Sequence, residues 1–158
     1  MRSRLLPLIV LPLTLLHGAA HAEATGDRAR AVVEEWLTEA REAVASVDTP
    51  TLKRMVDSDR SFTLLDVRTL REREAQGSLA PFREVAIPRG YLEIKAPDKL
   101  ADAPRPIIVY CGTGTRSLLA ADTLQQMGYG DVRNFRGGLE AWQEAGHSLA
   151  PCPPSATS

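Results

Sequence analysis

Apolar positions change period along this chain, from helix-like three-and-four spacing to short unbroken runs and back. Between Gly26 and Val47, residues Val32, Val33, Trp36, Leu37, Ala40 and Val44 fall at the spacing of one amphipathic helix, with Glu35, Glu39 and Arg41 on its wet face. Asp48-Thr49-Pro50 is a start signal that predicts a second helix to about Val56 or Asp57, with Thr49 as cap and Pro50 at the first helical position. Ser61 to Val67 is a short apolar run between polar turns and predicts a buried strand. Leu70 to Gln76 predicts a charged helix stopped by Gly77, and Val85 to Ile87 a short strand ended by Pro88. Arg89 to Ile94 turns into helix, and the proline-rich stretch from Ala96 to Pro106 reads as loop.

Ile107-Ile108-Val109-Tyr110 is a second buried strand. Ser117 to Met127 predicts a helix closed by Gly128 and Gly130, and Asp131 to Phe135 another strand. A last helix runs through Leu139, Trp142 and Ala145 to Gly146. Strands that alternate with helices imply an α/β fold, one domain built on a parallel β-sheet with helices on both faces. Pro151 to Ser158 has no apolar periodicity and gives no reason to order.

Composition bears on where such a domain works. Met1-Arg2-Ser3-Arg4 is a basic start, Leu5 to Leu16 is almost wholly apolar, and Ala20-His21-Ala22 fits a small-x-small cleavage site. The apolar run is shorter than the roughly 20 residues of a membrane span, which favours a cleaved secretory signal over an anchor. The expected division is a signal peptide at 1–22, an N-terminal helix at 23–48, the α/β domain at 49–148 and a disordered proline-rich tail at 149–158. Such a protein is periplasmic or secreted, and makes no membrane contact after cleavage. Loss of Arg2 and Arg4 from 19 basic residues leaves 17 against 20 acidic ones, so no basic footprint for nucleic acid exists. His17 and His21 leave as well, and His147 alone excludes a multi-histidine metal centre. That residue lies in a turn where surface exposure is expected.

The chemistry concentrates where the second buried strand ends, in Cys111-Gly112-Thr113-Gly114-Thr115-Arg116-Ser117. A loop of small residues can turn its N–H groups toward one point, and the positive end of the following helix adds to the field there. A cysteine at the start of such a loop is a nucleophile stabilised as thiolate and suited to anionic substrates. Cys111 is therefore the candidate nucleophile, and Gly112, Thr113, Gly114, Thr115 and Arg116 form the candidate substrate cradle. Asp66 and Arg68, at the end of the first buried strand, read as an ion pair or cap that braces the adjoining loop rather than as ligand contacts. They count with Ser117 as supporting residues. Cys152 lies among prolines; a bridge to Cys111 would silence the nucleophile, so an absent or reducible bridge is expected, with Cys152 as a candidate resolving thiol. No cofactor motif is present, since Gly112-Thr113-Gly114 lacks a third glycine and a following lysine.

These residues resemble the rhodanese-like sulfurtransferases. Leu64-Leu65-Asp66-Val67-Arg68 with Glu72 or Glu74 and Gly77 is similar to an early family block, and Ala86-Ile87-Pro88-Arg89-Gly90 to a second. The Cys111 loop resembles the family's active-site loop, and Gly128-Tyr129 through Asn134, Gly137-Gly138 and Trp142 its closing block. The resemblance implies that Cys111 accepts a sulfane sulfur from thiosulfate or a persulfide donor and passes it to a thiol or cyanide acceptor. A partner protein could serve in either role. Two positions depart from the pattern: Ser78 stands where members often carry histidine, and Gly112 where they often carry arginine. The missing cation weakens the case for thiosulfate and leaves a neutral or protein-bound persulfide open. Two other readings compete. A non-catalytic persulfide carrier or interaction domain would bind sulfur with poor turnover. A cysteine phosphatase or arsenate reductase usually needs five residues between cysteine and arginine, where this chain has four.

Overall fold

The computed structural model describes residues 15–58, 60–80 and 84–152, and the basic start and most of the apolar run of the expected signal lie outside them. The chain divides into two units, one up to Glu35 and one from Trp36 on. The first helix, α1, spans Leu15–Ala43. Among the described residues, no helix is long and apolar enough to cross a membrane.

The second unit contains β1 (Ser46–Val47), α2 (Thr49–Val56), β2 (Thr63–Asp66), α3 (Leu70–Gln76) and β3 (Glu84–Ala86). A single 3-10 turn (Arg89–Tyr91) leads to α4 (Leu92–Lys99), followed by β4 (Ile107–Tyr110), α5 (Thr115–Gln126), β5 (Val132–Phe135) and α6 (Gly138–Glu144). The strands form one sheet in the order β1-β5-β4-β2-β3, with every pairing parallel. The central strands read as continuous apolar runs because both faces are covered. Ile107 and Val109 of β4 join one core cluster with Leu118, Ala121 and Leu124 of α5 and Leu92 and Ala96 of α4. Ile108 and Tyr110 point the other way, into a cluster with Leu52 of α2 and Leu139 and Trp142 of α6.

Several sequence expectations need correction. The first helix ends at Ala43 rather than Val47, and Ser46–Val47 pairs with Asn134 and Phe135 as the sheet's edge strand. Leu37, Ala40 and Val44 are buried, whereas Trp36 is 55% exposed because it lies about 100° around the helix from Leu37. The cap of α2 is Asp48, whose carboxylate accepts from the Thr51 N–H at 2.9 Å, so Thr49 is already helical. The presumed loop from Ala96 begins as helix, since α4 continues through Pro97 to Lys99. Burial of Leu92, Ala96 and Leu100 at four-residue spacing outweighs the hydrogen bond lost at the proline. Helix α5 starts at Thr115, two residues before the predicted Ser117. Two residues of the expected disordered tail are built into the fold: Ala150 bridges Ser78 antiparallel and Leu149 packs on the core, while 153–158 lie outside the described residues. His147 is half-buried rather than exposed, 4.6 Å from the Trp142 ring.

Candidate active site

Strand β4 delivers Tyr110 to one face of the sheet and Cys111, the next residue, to the other, where it sits fully buried beside the start of α5. Its Sγ accepts from the Gly114 N–H at 3.2 Å and lies 3.5 Å from the Ser117 hydroxyl. The loop is held open from outside by α6. The Cys111 carbonyl accepts from the Leu139 N–H at 2.9 Å and the Gly112 carbonyl from the Glu140 N–H at 3.0 Å. In a trans peptide the N–H points opposite to the carbonyl, so tying these two oxygens to α6 turns the Gly112 and Thr113 amides toward the loop's interior. The first-turn amides of α5, from Thr115 to Ser117, have no acceptor within their own helix and add donors at the same end.

Two glycines make this closure sterically feasible. Gly138 has φ +58°, and a Cβ there would lie 2.5 Å from the Cys111 oxygen. Gly114 has φ +90°, and its Cβ would meet the Gly137 nitrogen at 2.8 Å. Side-chain-bearing residues pay strain at both angles as well as the clash.

Charge reaches the loop through Arg116. Its guanidinium forms two hydrogen bonds to Glu72 of α3, one from Nη1 to Oε2 at 3.0 Å and one from Nη2 to Oε1, and it also faces Cys111. Hydrogen bonding to Glu72 raises the arginine's proton affinity. Glu72 is in turn pulled down to about 2, by the Arg116 hydrogen bonds first and then by Thr69. The Thr69 hydroxyl and N–H both donate to Glu72 in a capping box at the start of α3. One carboxylate thus caps a helix and fixes the arginine.

Asp66 and Arg68 do not touch the sulfur in this arrangement; they form a fully buried ion pair, 2.7 Å from Nη2 to Oδ2. Burial is the largest single influence and works against charge on Arg68, but the hydrogen bonds and charge attraction from Asp66, with Tyr110, together outweigh it and the net shift is upward. Arg68 also donates to the Gly77 carbonyl at 2.7 Å, and Arg73 bridges Asp66 and Glu84 at 3.1 and 2.7 Å. Tyr110, held protonated chiefly by burial, donates to Glu84 at 2.5 Å, and the Ser78 hydroxyl donates to the same oxygen. Ser78 therefore belongs to this buried network. Cys111 and Cys152 are not joined by a disulfide.

Sequence reasoning left out three contributors: Glu72 as partner of Arg116, the α6 amides, and Asn134, whose Oδ1 accepts from Ser117 at 2.7 Å. The Thr69-x-x-Glu72 spacing was a readable signal for the first. A hollow of about 360 Å³ lies against the loop's flank, lined by Thr113, Thr115, Asn134, Arg41 and Arg136. A larger one, about 680 Å³, is lined by Thr63, Glu84 and Pro104 near the strands' N-terminal ends and contains none of the loop residues.

Comparison with known proteins places these features in a family. The model of the rhodanese-like domain matches residues 48–145. A sulfurtransferase of Allochromatium vinosum is 33% identical over 103 residues, covering 65% of this chain and 92% of that protein. The thiosulfate sulfurtransferase GlpE of Shewanella oneidensis is 44% identical over 45 residues, 28% of this chain and 45% of that one. Among solved structures, a Rhodopseudomonas palustris protein of unknown function, described as a possible tyrosine phosphatase, superposes with a TM-score of 0.64 at 30% identity. That match covers 74% of this chain and 92% of the other.

Proposed function

The chain belongs to the rhodanese-like domain family, and from that premise we propose that it is a sulfurtransferase working through a persulfide on Cys111. The observation that carries the reading is a fully buried sulfur that accepts a loop amide, in a loop whose carbonyls are anchored outward by α6. In the first step the Cys111 thiolate attacks the terminal sulfane sulfur of a donor such as thiosulfate. The donor's S–S bond breaks, sulfite leaves with the electron pair, and Cys111 holds the persulfide. In the second step a thiolate or cyanide attacks the outer sulfur and Cys111 leaves as thiolate. Splitting the transfer in this way replaces one difficult step by two easier ones.

Burial restricts the donor. A buried sulfur is reached only by small, unhindered electrophilic atoms, so the donor presents a terminal sulfur, while the persulfide sets the transferable atom about 2 Å further out. Inward amides from Gly112 to Arg116 stabilise the anionic persulfide and the entering oxyanion, as preorganised donors do elsewhere. Arg116, fixed by Glu72, supplies charge in a loop whose position 112 has none.

The reading is tested with the reduced full chain, thiosulfate and an alkyl persulfide as donors, and intact-mass and peptide-mass detection. Loading adds about 32 Da to Cys111, the mass of one sulfur atom. Cyanide then removes it with turnover to thiocyanate. Loading without turnover identifies a carrier, and no loading from either donor overturns the assignment. Cys111→Ser is expected to abolish the gain while keeping the fold; retained loading would move the site to Cys152. Hydrolysis of an aryl phosphate in place of sulfur loading would favour phosphatase chemistry. Export to the periplasm or beyond is part of the same proposal, supported by the N-terminal pattern, and predicts a mature chain starting at Glu23 in the exported fraction.

A further inference from the structure

We propose that Asn134 is a positioning residue for Cys111 that acts through Ser117, holding the one hydroxyl proton of Ser117 away from the sulfur until the sulfur carries charge. The inference rests on Cys111 being the nucleophile and concerns how its ionisation is restrained.

The Ser117 oxygen lies 2.7 Å from Asn134 Oδ1, 3.1 Å from the Gly114 carbonyl and 3.5 Å from Cys111 Sγ. A serine hydroxyl has a single proton to give and cannot serve all three. Ser117 and Cys111 are fully buried and Asn134 is nearly so, so the oxygens and sulfur left without that proton have little water to turn to. With Cys111 as thiol, the shortest contact takes the proton and Ser117 donates to Asn134. The lone pairs of its oxygen then face the sulfur and can accept from S–H. With Cys111 as thiolate, those same lone pairs face a negative sulfur, and relief requires the hydroxyl to turn and donate to it. That rotation leaves Asn134 Oδ1 against a lone pair at 2.7 Å. Asn134 therefore opposes ionisation, and it also opposes the second catalytic step until the departing thiolate is charged enough to recapture the proton.

Other groups around the sulfur are constant in this comparison. From α5, Arg116 faces Cys111, and from α3, Glu72 pairs with Arg116. From α1 and the β5–α6 turn, Arg41 and Arg136 line the hollow that Asn134 also lines. On the opposite face of the sheet, Asp66, Arg68, Arg73 and Glu84 pair with one another. Helix α6 presents backbone amides to the loop.

The test is the pH profile of Cys111 alkylation by iodoacetamide in the full reduced chain, read on the Cys111 peptide so that Cys152 does not contribute. Asn134→Leu removes the competing acceptor while keeping the branched outline of the side chain, and is expected to lower the midpoint by about one pH unit. That is about tenfold in thiolate fraction below the midpoint. In a Ser117→Ala background the same substitution is expected to move nothing, because no hydroxyl proton is released, and Ser117→Thr is expected to restore the effect. An Asn134→Leu midpoint that stays or rises, or that falls equally without the Ser117 hydroxyl, overturns the proposal. Asn134→Ala, made in parallel with near-ultraviolet circular dichroism as the check on folding, carries the test if leucine is not accommodated. Alkylation needs no sulfur donor, so failed loading by donors and failure of this proposal are separate results.

Discussion

A methyl group on Gly138 would lie 2.5 Å from the Cys111 carbonyl oxygen and 2.7 Å from that of Gly112, at a φ that residues with side chains rarely adopt. Those are the two carbonyls whose capture by α6 orients the loop. Gly138→Ala is thus expected to cost about 1–3 kcal/mol in urea unfolding, from strain and clash together, and to slow sulfur loading in whatever remains folded. Gly114→Val acts from the other side, against Gly137, and is expected to slow loading as well. Unchanged loading rates in both variants would show that the inward amides are not what stabilises the sulfur. The sequence made Cys111 and its glycines legible, because small residues between a strand and a helix have few other uses. It could not show that Gly138, far along the chain and readable only as turn, exists to let a carbonyl pass.

The elements meet in a buried network where Asp66 from the end of β2, Arg73 from α3 and Glu84 from β3 are tied to Arg68 and Tyr110. Breaking one partner of such a pair leaves the other charged and dry. Arg68→Ala is therefore expected to destabilise by about 3–5 kcal/mol in urea unfolding, with loading per folded molecule retained. A loss under 1 kcal/mol would mean that Arg73, which also pairs with Asp66, or entering water is enough to replace the arginine. The bracing role was readable from strand-end charges two residues apart. Its extent was not, since Arg73, Glu84, Ser78 and Tyr110 come together only when β2, β3 and β4 are set side by side. Helix α4 shows the opposite error: local proline content predicted loop, and burial of one face prevailed.

For the whole molecule, acid is the condition that reveals how the site is held. Glu72 titrates near 2 in the fold against an ordinary 4.5, mainly through Arg116. A carboxylate held low contributes stability above its unfolded value, and that contribution is lost as pH falls from about 4.5 toward 2. Glu72→Gln is expected to be less stable at neutral pH, and its thermal midpoint should fall less steeply than the native protein's across that interval. Equal slopes would mean that the pair is solvated and contributes nothing. The overall architecture was legible from alternating apolar runs, which carry both strand and helix periods. The two-residue edge strand was not, because so short a segment has no period of its own and is fixed only by its neighbour.

That edge strand has a practical consequence. A shortened version begun at residue 48, where the family match starts, would remove Ser46 and Val47 and leave the backbone of Asn134 and Phe135 bare along one margin. An uncovered margin invites another copy to add itself there, so trimming by homology would favour sticky, self-associating material with its reactive sulfur disturbed. Starting the domain at Trp36 keeps the margin closed.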